Sequence, residues 1–212
     1  MVAEIRIYME GGGKDKSTKT KMRQGMDALL SPLKEKARSQ RMGFRVIVCG
    51  TRNDACRDFR IACNQNPDAF NVLLVDAEDP VTKTPIEHLQ QRDGWDLAEA
   101  EADQVYLMAP TMEAWLVADP EALATYYGQG FNQNSISRRN NLEETTKSEI
   151  ENSLNNATRN TQKGTYRKIA HGTELLGKIE PEKLKGRAPE FNRLWETLAA
   201  KLDEEDDDRT TN

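Results

Sequence analysis

The chain has 212 residues, of which 37% are hydrophobic and 31% charged, and its formal net charge is −5. No apolar run approaches the roughly 20 residues that a bilayer span requires, so a membrane-spanning helix is excluded. Its three cysteines, Cys49, Cys56 and Cys63, fit neither a disulfide framework nor a CxxC knuckle, and two histidines are too few for His-rich zinc chemistry.

The chain opens with MVAEIRIYMEGG, which enters a strand pattern with no basic region followed by an apolar one, so a cytoplasmic address is expected. Four short β-branched runs read as strands: 4–9 (EIRIYM), 44–50 (FRVIVCG), 71–76 (NVLLVD) and 104–110 (QVYLMAP). Between the first two, Met22, Met26, Leu29, Leu30 and Leu33 recur at helical spacing and predict one helix from Ser17 to Arg38. Asn53 is the expected cap of a second helix, over 54–65, that stops before Pro67. A short helix over 85–92 and a polar loop around Gly94 lead to the fourth strand. Strands alternating with helices predict an α/β fold, a mostly parallel four-stranded sheet flanked by helices, over residues 1–118.

Beyond Pro110 the pattern turns helical. Two helices are predicted in TMEAWLVADPEALATYY, the second with Asp119 as N-cap and Pro120 at its first position. Further helices are expected near 143–158, 165–178 and 188–202, which makes 119–202 an all-helical C-terminal extension. The six acids Asp203 to Asp208 predict a disordered tail over 203–212.

Charge is unevenly spread: residues 1–60 carry 14 Lys/Arg against 7 Asp/Glu, whereas the remainder carries 16 against 28. The basic part is where a polyanion is expected to dock. In a parallel sheet, ligands bind beyond the carboxyl ends of the strands. There the sequence places acids: Glu10 after the first strand, Asp76 with Glu78 and Asp79 after the third, and Glu113 at the helix after the fourth. Hard oxygen donors of this kind suit Mg²⁺ or Mn²⁺, and a metal so held can activate water and neutralise charge on phosphorus. Gly11, Gly12 and Gly13 allow a tight turn close to a phosphate, with Lys14, Lys16 and Lys19 following; Arg52 beside Gly50 offers a second, weaker phosphate site. Neither GxxxxGK[ST] nor GxGxxG is present. Singly, each acid also fits a turn or a helix start.

A strand ending in Glu-Gly, followed later by one ending in an Asp-x-Asp equivalent, resembles the Toprim domain of topoisomerases, primases and OLD-type nucleases; here the two are MEGGG and VDAED. The ordered set IYMEGGG, CGTRNDA, LLVDAEDPV, RDGWD, MEAWLVAD, GQGFN and GTYRKIAHGTELL is similar to the bacterial family labelled domain of unknown function 4276, from about residue 4 to residue 200. The resemblance implies a Toprim-like fold and a metal-dependent nuclease. It gives Glu10 the role of metal ligand or general acid/base, and Asp76 with Glu78 or Asp79 that of metal ligands, with Glu113 as an added one. It also implies a basic residue reaching the site from beyond the sheet, for which Lys168 is the candidate. His171, three residues on, can share its helical face, the alternative being a packed or capping histidine. The expected cofactor is Mg²⁺ or Mn²⁺, and the expected partners are RNA or DNA, an ABC-type ATPase as in some anti-phage relatives, and a second copy of the chain in a homodimer. Two other readings stand beside these: a haloacid-dehalogenase-like phosphatase with Asp76 as nucleophile, because VDAEDPVT loosely imitates Asp-x-Asp-x-Thr, and a noncatalytic subunit of an ATPase complex.

Overall fold

The computed structural model of the chain describes residue 2 and residues 4–210, with the side chains of 205–210 outside that description. Four strands, β1 (Glu4–Glu10), β2 (Gly43–Gly50), β3 (Ala69–Asp76) and β4 (Val105–Met108), form one sheet in the order β2-β1-β3-β4. All three pairings are parallel. The α/β expectation and the four-stranded sheet flanked by helices therefore hold.

Alternation along β3 shows why the strand runs are almost wholly apolar. Val72 and Leu74 join the cluster on one face, Leu73 and Val75 the cluster on the other, and all four are fully buried. Helices cover both faces. The first connection holds α1 (Lys16–Leu29) and α2 (Ser31–Ser39), which pack Met22, Met26 and Leu33 onto the first face. The single helix expected from Ser17 to Arg38 is thus corrected to two. Pro32 lacks the N–H that would bond one turn back, and the chain leaves helical geometry at Leu30 (φ −93°, ψ 12°).

The second connection holds α3 (Arg52–Gln65), which buries Ala55, Cys56 and Phe59 on the opposite face. Its cap is Thr51 rather than the expected Asn53: the Thr51 hydroxyl accepts from the Asp54 amide while the Asp54 carboxylate accepts from the Thr51 amide, a reciprocal arrangement that satisfies two amides. The third connection carries α4 (Pro85–Asp93), capped by Thr84 and stopped by left-handed Gly94.

The helical segment comprises α5 (Met112–Leu116), α6 (Pro120–Tyr127), α7 (Lys147–Thr158), α8 (Thr173–Leu176), α9 (Pro181–Lys185) and α10 (Pro189–Thr210). Asp119 caps α6 as expected, accepting from the Ala122 amide at 3.1 Å. Its apolar residues, including Leu154, Leu175, Phe191 and Leu198, belong to the same cluster as the first sheet face. Trp115 and Phe191 meet edge-on in this core, 4.9 Å between ring centres. The helix α10 is described as far as Thr210, within the acidic stretch 203–212 expected as a tail; residues 211 and 212 lie outside the described residues.

One contact fixes how the helical segment meets α1. A Cβ on Gly25 would lie 2.4 Å from the Thr173 carbonyl oxygen. Alanine favours a helix interior over glycine by about 1 kcal/mol, but the obstructing atom is backbone and cannot swing aside. Gly25→Ala is therefore expected to destabilise the fold by about 1–3 kcal/mol net, read as a lower urea midpoint at unchanged slope. An unchanged or higher midpoint would show that α1 and α8 can separate freely.

Candidate active site

The strand order places the site. From β1 the chain leaves toward β2 on one side, and from β3 it leaves toward β4 on the other, so a crevice opens between the carboxyl ends of the neighbouring strands β1 and β3. Glu10 and Asp76 end those two strands. The β1/β2 register shifts between Met9 and Glu10, an irregularity of the kind that re-aims a strand-end side chain. Glu10 Oε1 accepts a short hydrogen bond from the Asp76 amide and lies 3.5 Å from the Arg52 guanidinium.

Asp76 is almost fully buried. Its Oδ1 accepts from the Met112 amide at 2.8 Å, at the start of α5, and its Oδ2 lies 3.2 Å from Lys168 Nζ. The same ammonium stands 3.2 Å from Glu113 Oε2, while Tyr166 donates its hydroxyl to Glu113 Oε1 at 3.2 Å. Lys168 opens a π-helical turn, Lys168–Gly172, that runs directly into α8. Such wide turns recur at functional sites because they re-aim side chains within a helix.

Electrostatics follow from burial. Desolvation, reinforced by the neighbouring Asp76 charge and only partly opposed by Arg52, pushes Glu10 up to about 7. Burial likewise raises Asp76, against the pull of Lys168. Burial acts to lower Lys168, but the Asp76 and Glu113 carboxylates outweigh it and hold the ammonium above its ordinary value. Tyr166, raised by burial and by Glu113, remains a hydroxyl donor.

The structure thus brings together Glu10, Asp76, Glu113 and Lys168 of the residues singled out in the sequence. Others go elsewhere. Glu78 sits just beyond, in a left-handed conformation (φ 67°), and its carboxylate is 2.5 Å from Lys147 Nζ. Asp79 is exposed and pairs with Arg92 at 2.9 Å. His171 is buried away from solvent, with Nδ1 2.9 Å from the Tyr127 hydroxyl and Nε2 3.5 Å from Arg167; burial and that guanidinium lower its pKa, so it packs as a neutral ring.

Of the phosphate candidates, Arg52 is engaged within the protein. It donates to the Asp76 carbonyl at 3.0 Å and to Asp93 at 2.7 Å, and lies over the Trp95 ring. Lys19 bonds the Cys49 carbonyl at 2.6 Å, and Gly11 donates its amide to the Gly50 carbonyl. Gly12 holds φ 72°, and a Cβ there would lie 2.7 Å from the Lys19 amide nitrogen, so this turn requires glycine. Lys14 and Lys16 remain exposed at the rim. Sequence reasoning gave two participants no role at the site: Lys147, and Tyr166, which by residue type reads as core.

Among the described residues, no three acidic, histidine or cysteine side chains form a ready-made metal shell. The chemistry of the donor set nevertheless suits a hard divalent cation: two carboxylates, Asp76 and Glu113, flank one lysine with Glu10 beside them, and Asp76 raises the proton affinity of Glu10 as Glu113 raises that of Asp76.

No curated protein and no solved structure matches the chain. The family described as Domain of unknown function (DUF4276) matches residues 9–199, nearly the whole length, and the chain belongs to that family.

Proposed function

We propose that this chain is a divalent-cation-dependent phosphodiesterase acting on nucleic acid, a nuclease of Toprim type. The observation that carries the reading is Lys168, which comes from 92 residues beyond Asp76 to stand 3.2 Å from both Asp76 and Glu113 at the crevice between β1 and β3. Glu10, Asp76 and Glu113 would hold Mg²⁺ or Mn²⁺, which when bound supplies an activated water and neutralises charge on the phosphate.

The chain's own groups have separable tasks. The Met112 amide and the Tyr166 hydroxyl each occupy one oxygen of their carboxylate, so Asp76 Oδ2 and Glu113 Oε2 are the atoms turned inward. Lys168, half open to solvent, can face a phosphate while keeping its charge throughout the physiological range. Glu10, poised near 7, can take up or release a proton at Oε2, since Oε1 is held by the Asp76 amide. A role as an anti-phage effector beside an ABC-type ATPase, in the cytoplasm and as a homodimer, extends this reading from the family resemblance alone.

Purified protein incubated with RNA and DNA is expected to cut one of them with Mg²⁺ or Mn²⁺ and not with a chelator. Glu10→Gln and Asp76→Asn should lose at least about a hundredfold in rate, and Lys168→Met about a hundred- to a thousandfold. Equal cutting by Glu10→Gln sinks the assignment. A covalent phosphoenzyme on Asp76 would replace it with the phosphatase reading, and absence of both cutting and metal stabilisation with the noncatalytic one.

The acids also dictate a pH dependence. Glu10 and Asp76 bind a proton more tightly folded than unfolded, so their contribution to stability is greatest below their unfolded values and falls as pH rises from about 4.5 toward 7. The slope for one such group is at most about 1.4 kcal/mol per pH unit. Glu10→Gln keeps an oxygen for the Asp76 amide but removes one titration, and should flatten the profile. Urea unfolding at pH 5, 6 and 7 tests this, with added Mg²⁺ stabilising the wild type at pH 7 and the variant less. Parallel profiles for the two proteins would contradict it.

A further inference from the structure

Asp76 and Glu113 each give one oxygen to the chain itself: the Met112 amide holds Asp76 Oδ1 at 2.8 Å, and the Tyr166 hydroxyl holds Glu113 Oε1 at 3.2 Å. The two oxygens left over, Asp76 Oδ2 and Glu113 Oε2, both lie 3.2 Å from Lys168 Nζ. We propose that Lys168 and the divalent cation are alternative occupants of this one position, so that metal loading moves the ammonium outward to where it meets the substrate phosphate. The proposal rests on the metal-dependent reading of the site and adds how that site is loaded.

Access is what forces the exchange. The two carboxylate side chains are only 6% and 5% exposed, whereas that of Lys168 is 47% exposed. A cation reaching Oδ2 and Oε2 from solvent therefore arrives on the side where Lys168 stands. Mg²⁺ or Mn²⁺ bonded to both would lie about 2.1 Å from each oxygen, in the gap that the ammonium spans. Two positive charges cannot share so small a space in a crevice of low dielectric.

The lysine can leave and the acids cannot. Lys168 carries its charge on a flexible four-carbon stem, follows an extended residue, Arg167 (φ −135°, ψ 118°), and has beside it Ile169, 64% exposed. Its ammonium can swing outward without repacking the core, while Asp76 and Glu113 stay fixed by their own donors. Charge favours the exchange, since a divalent ion offsets more of the Glu10, Asp76 and Glu113 carboxylates than an ammonium does. The neighbouring acids are already engaged: Glu78 is paired with Lys147 at 2.5 Å, and Glu10 faces the Asp76 amide and Arg52. A phosphate bound at the crevice is the anion left for the displaced ammonium.

The test is Mn²⁺ binding to the full chain at pH 8, without nucleic acid, by electron paramagnetic resonance. Lys168→Met should bind Mn²⁺ about tenfold tighter than wild type, as removal of one competing charge contact does, although the same variant is expected to lose rate. Asp76→Asn should bind it more weakly. The wild-type protein supplies a second reading that needs no variant. Acetylation of Lys168 by an amine-directed reagent, followed by mass spectrometry, should rise severalfold when Mn²⁺ saturates the site, with the exposed Lys14 and Lys16 as unchanged references. Equal or weaker Mn²⁺ binding by Lys168→Met overturns the proposal, and so does Lys168 labelling unmoved by saturating metal. Either outcome, with Mn²⁺ still bound, leaves the phosphodiesterase reading standing, whereas no Mn²⁺ binding at all removes both. A chain that never cuts can still show the exchange.

Discussion

The structure depends on one electrostatic constraint: three carboxylates are placed at the carboxyl edge of a sheet that is buried on both faces. A buried carboxylate without a partner is far costlier than any single apolar contact is favourable. Lys168 meets that demand for Asp76 and Glu113, backbone amides meet part of it for Glu10 and Asp76, and Arg52 stands by Glu10 while bonding the Asp76 carbonyl. The helical segment is therefore more than a cover for the first sheet face. It is the means by which a lysine is returned to the end of β3.

That return has to be rigid, and the packing shows how it is held. The π-helical turn bearing Lys168 continues into α8, whose backbone lies against α1 at Gly25 closely enough to forbid a Cβ. On its other side, α2 and α10 are joined by Lys36 with Asp203 and by Gln40 bonding the Leu202 carbonyl at 3.0 Å. Arg193 of α10 reaches the Val105 carbonyl at 2.7 Å and lies over the Tyr106 ring. The helices are thus fastened to the same strands whose ends carry the acids, so the distances at the site are set by the core.

The strands, their parallel direction and the acids at their ends were legible in the chain, because β-branched runs and strand-end carboxylates are local signals. Helix boundaries were less so. Thr51 and Asn53 are both good caps by type, and only the reciprocal bond with Asp54 decides between them. The break at Leu30 was readable from Pro32, but the apolar spacing of Leu29, Leu30 and Leu33 runs through it. Glu78 could not be placed: a left-handed backbone at a non-glycine residue has no sequence signature, and it turns the side chain to Lys147, 69 positions away. His171 looked equivalent to Lys168 on an α-helical face. The turn there is π-helical and sends the ring among Tyr126, Tyr127 and Tyr166 instead.

The charge asymmetry of the chain also finds a structural meaning. The N-terminal surplus of lysine and arginine is divided: Lys19 and Arg52 are spent inside, on the carbonyls that end β2 and β3, whereas Lys14 and Lys16 stay exposed beside the glycine turn. Because that turn follows β1 directly, the free cations rim the same edge that holds the acids. A polyanion approaching this edge meets lysines first and carboxylates only at the bottom of the crevice. With Lys168 alone the crevice remains acid-rich and repels phosphate; a divalent cation would reverse the sign at that one spot. On the phosphodiesterase reading, attraction at the rim and repulsion at an unloaded centre would together make metal binding the step on which productive docking turns, coupling the acids of the site to the basic surface around it.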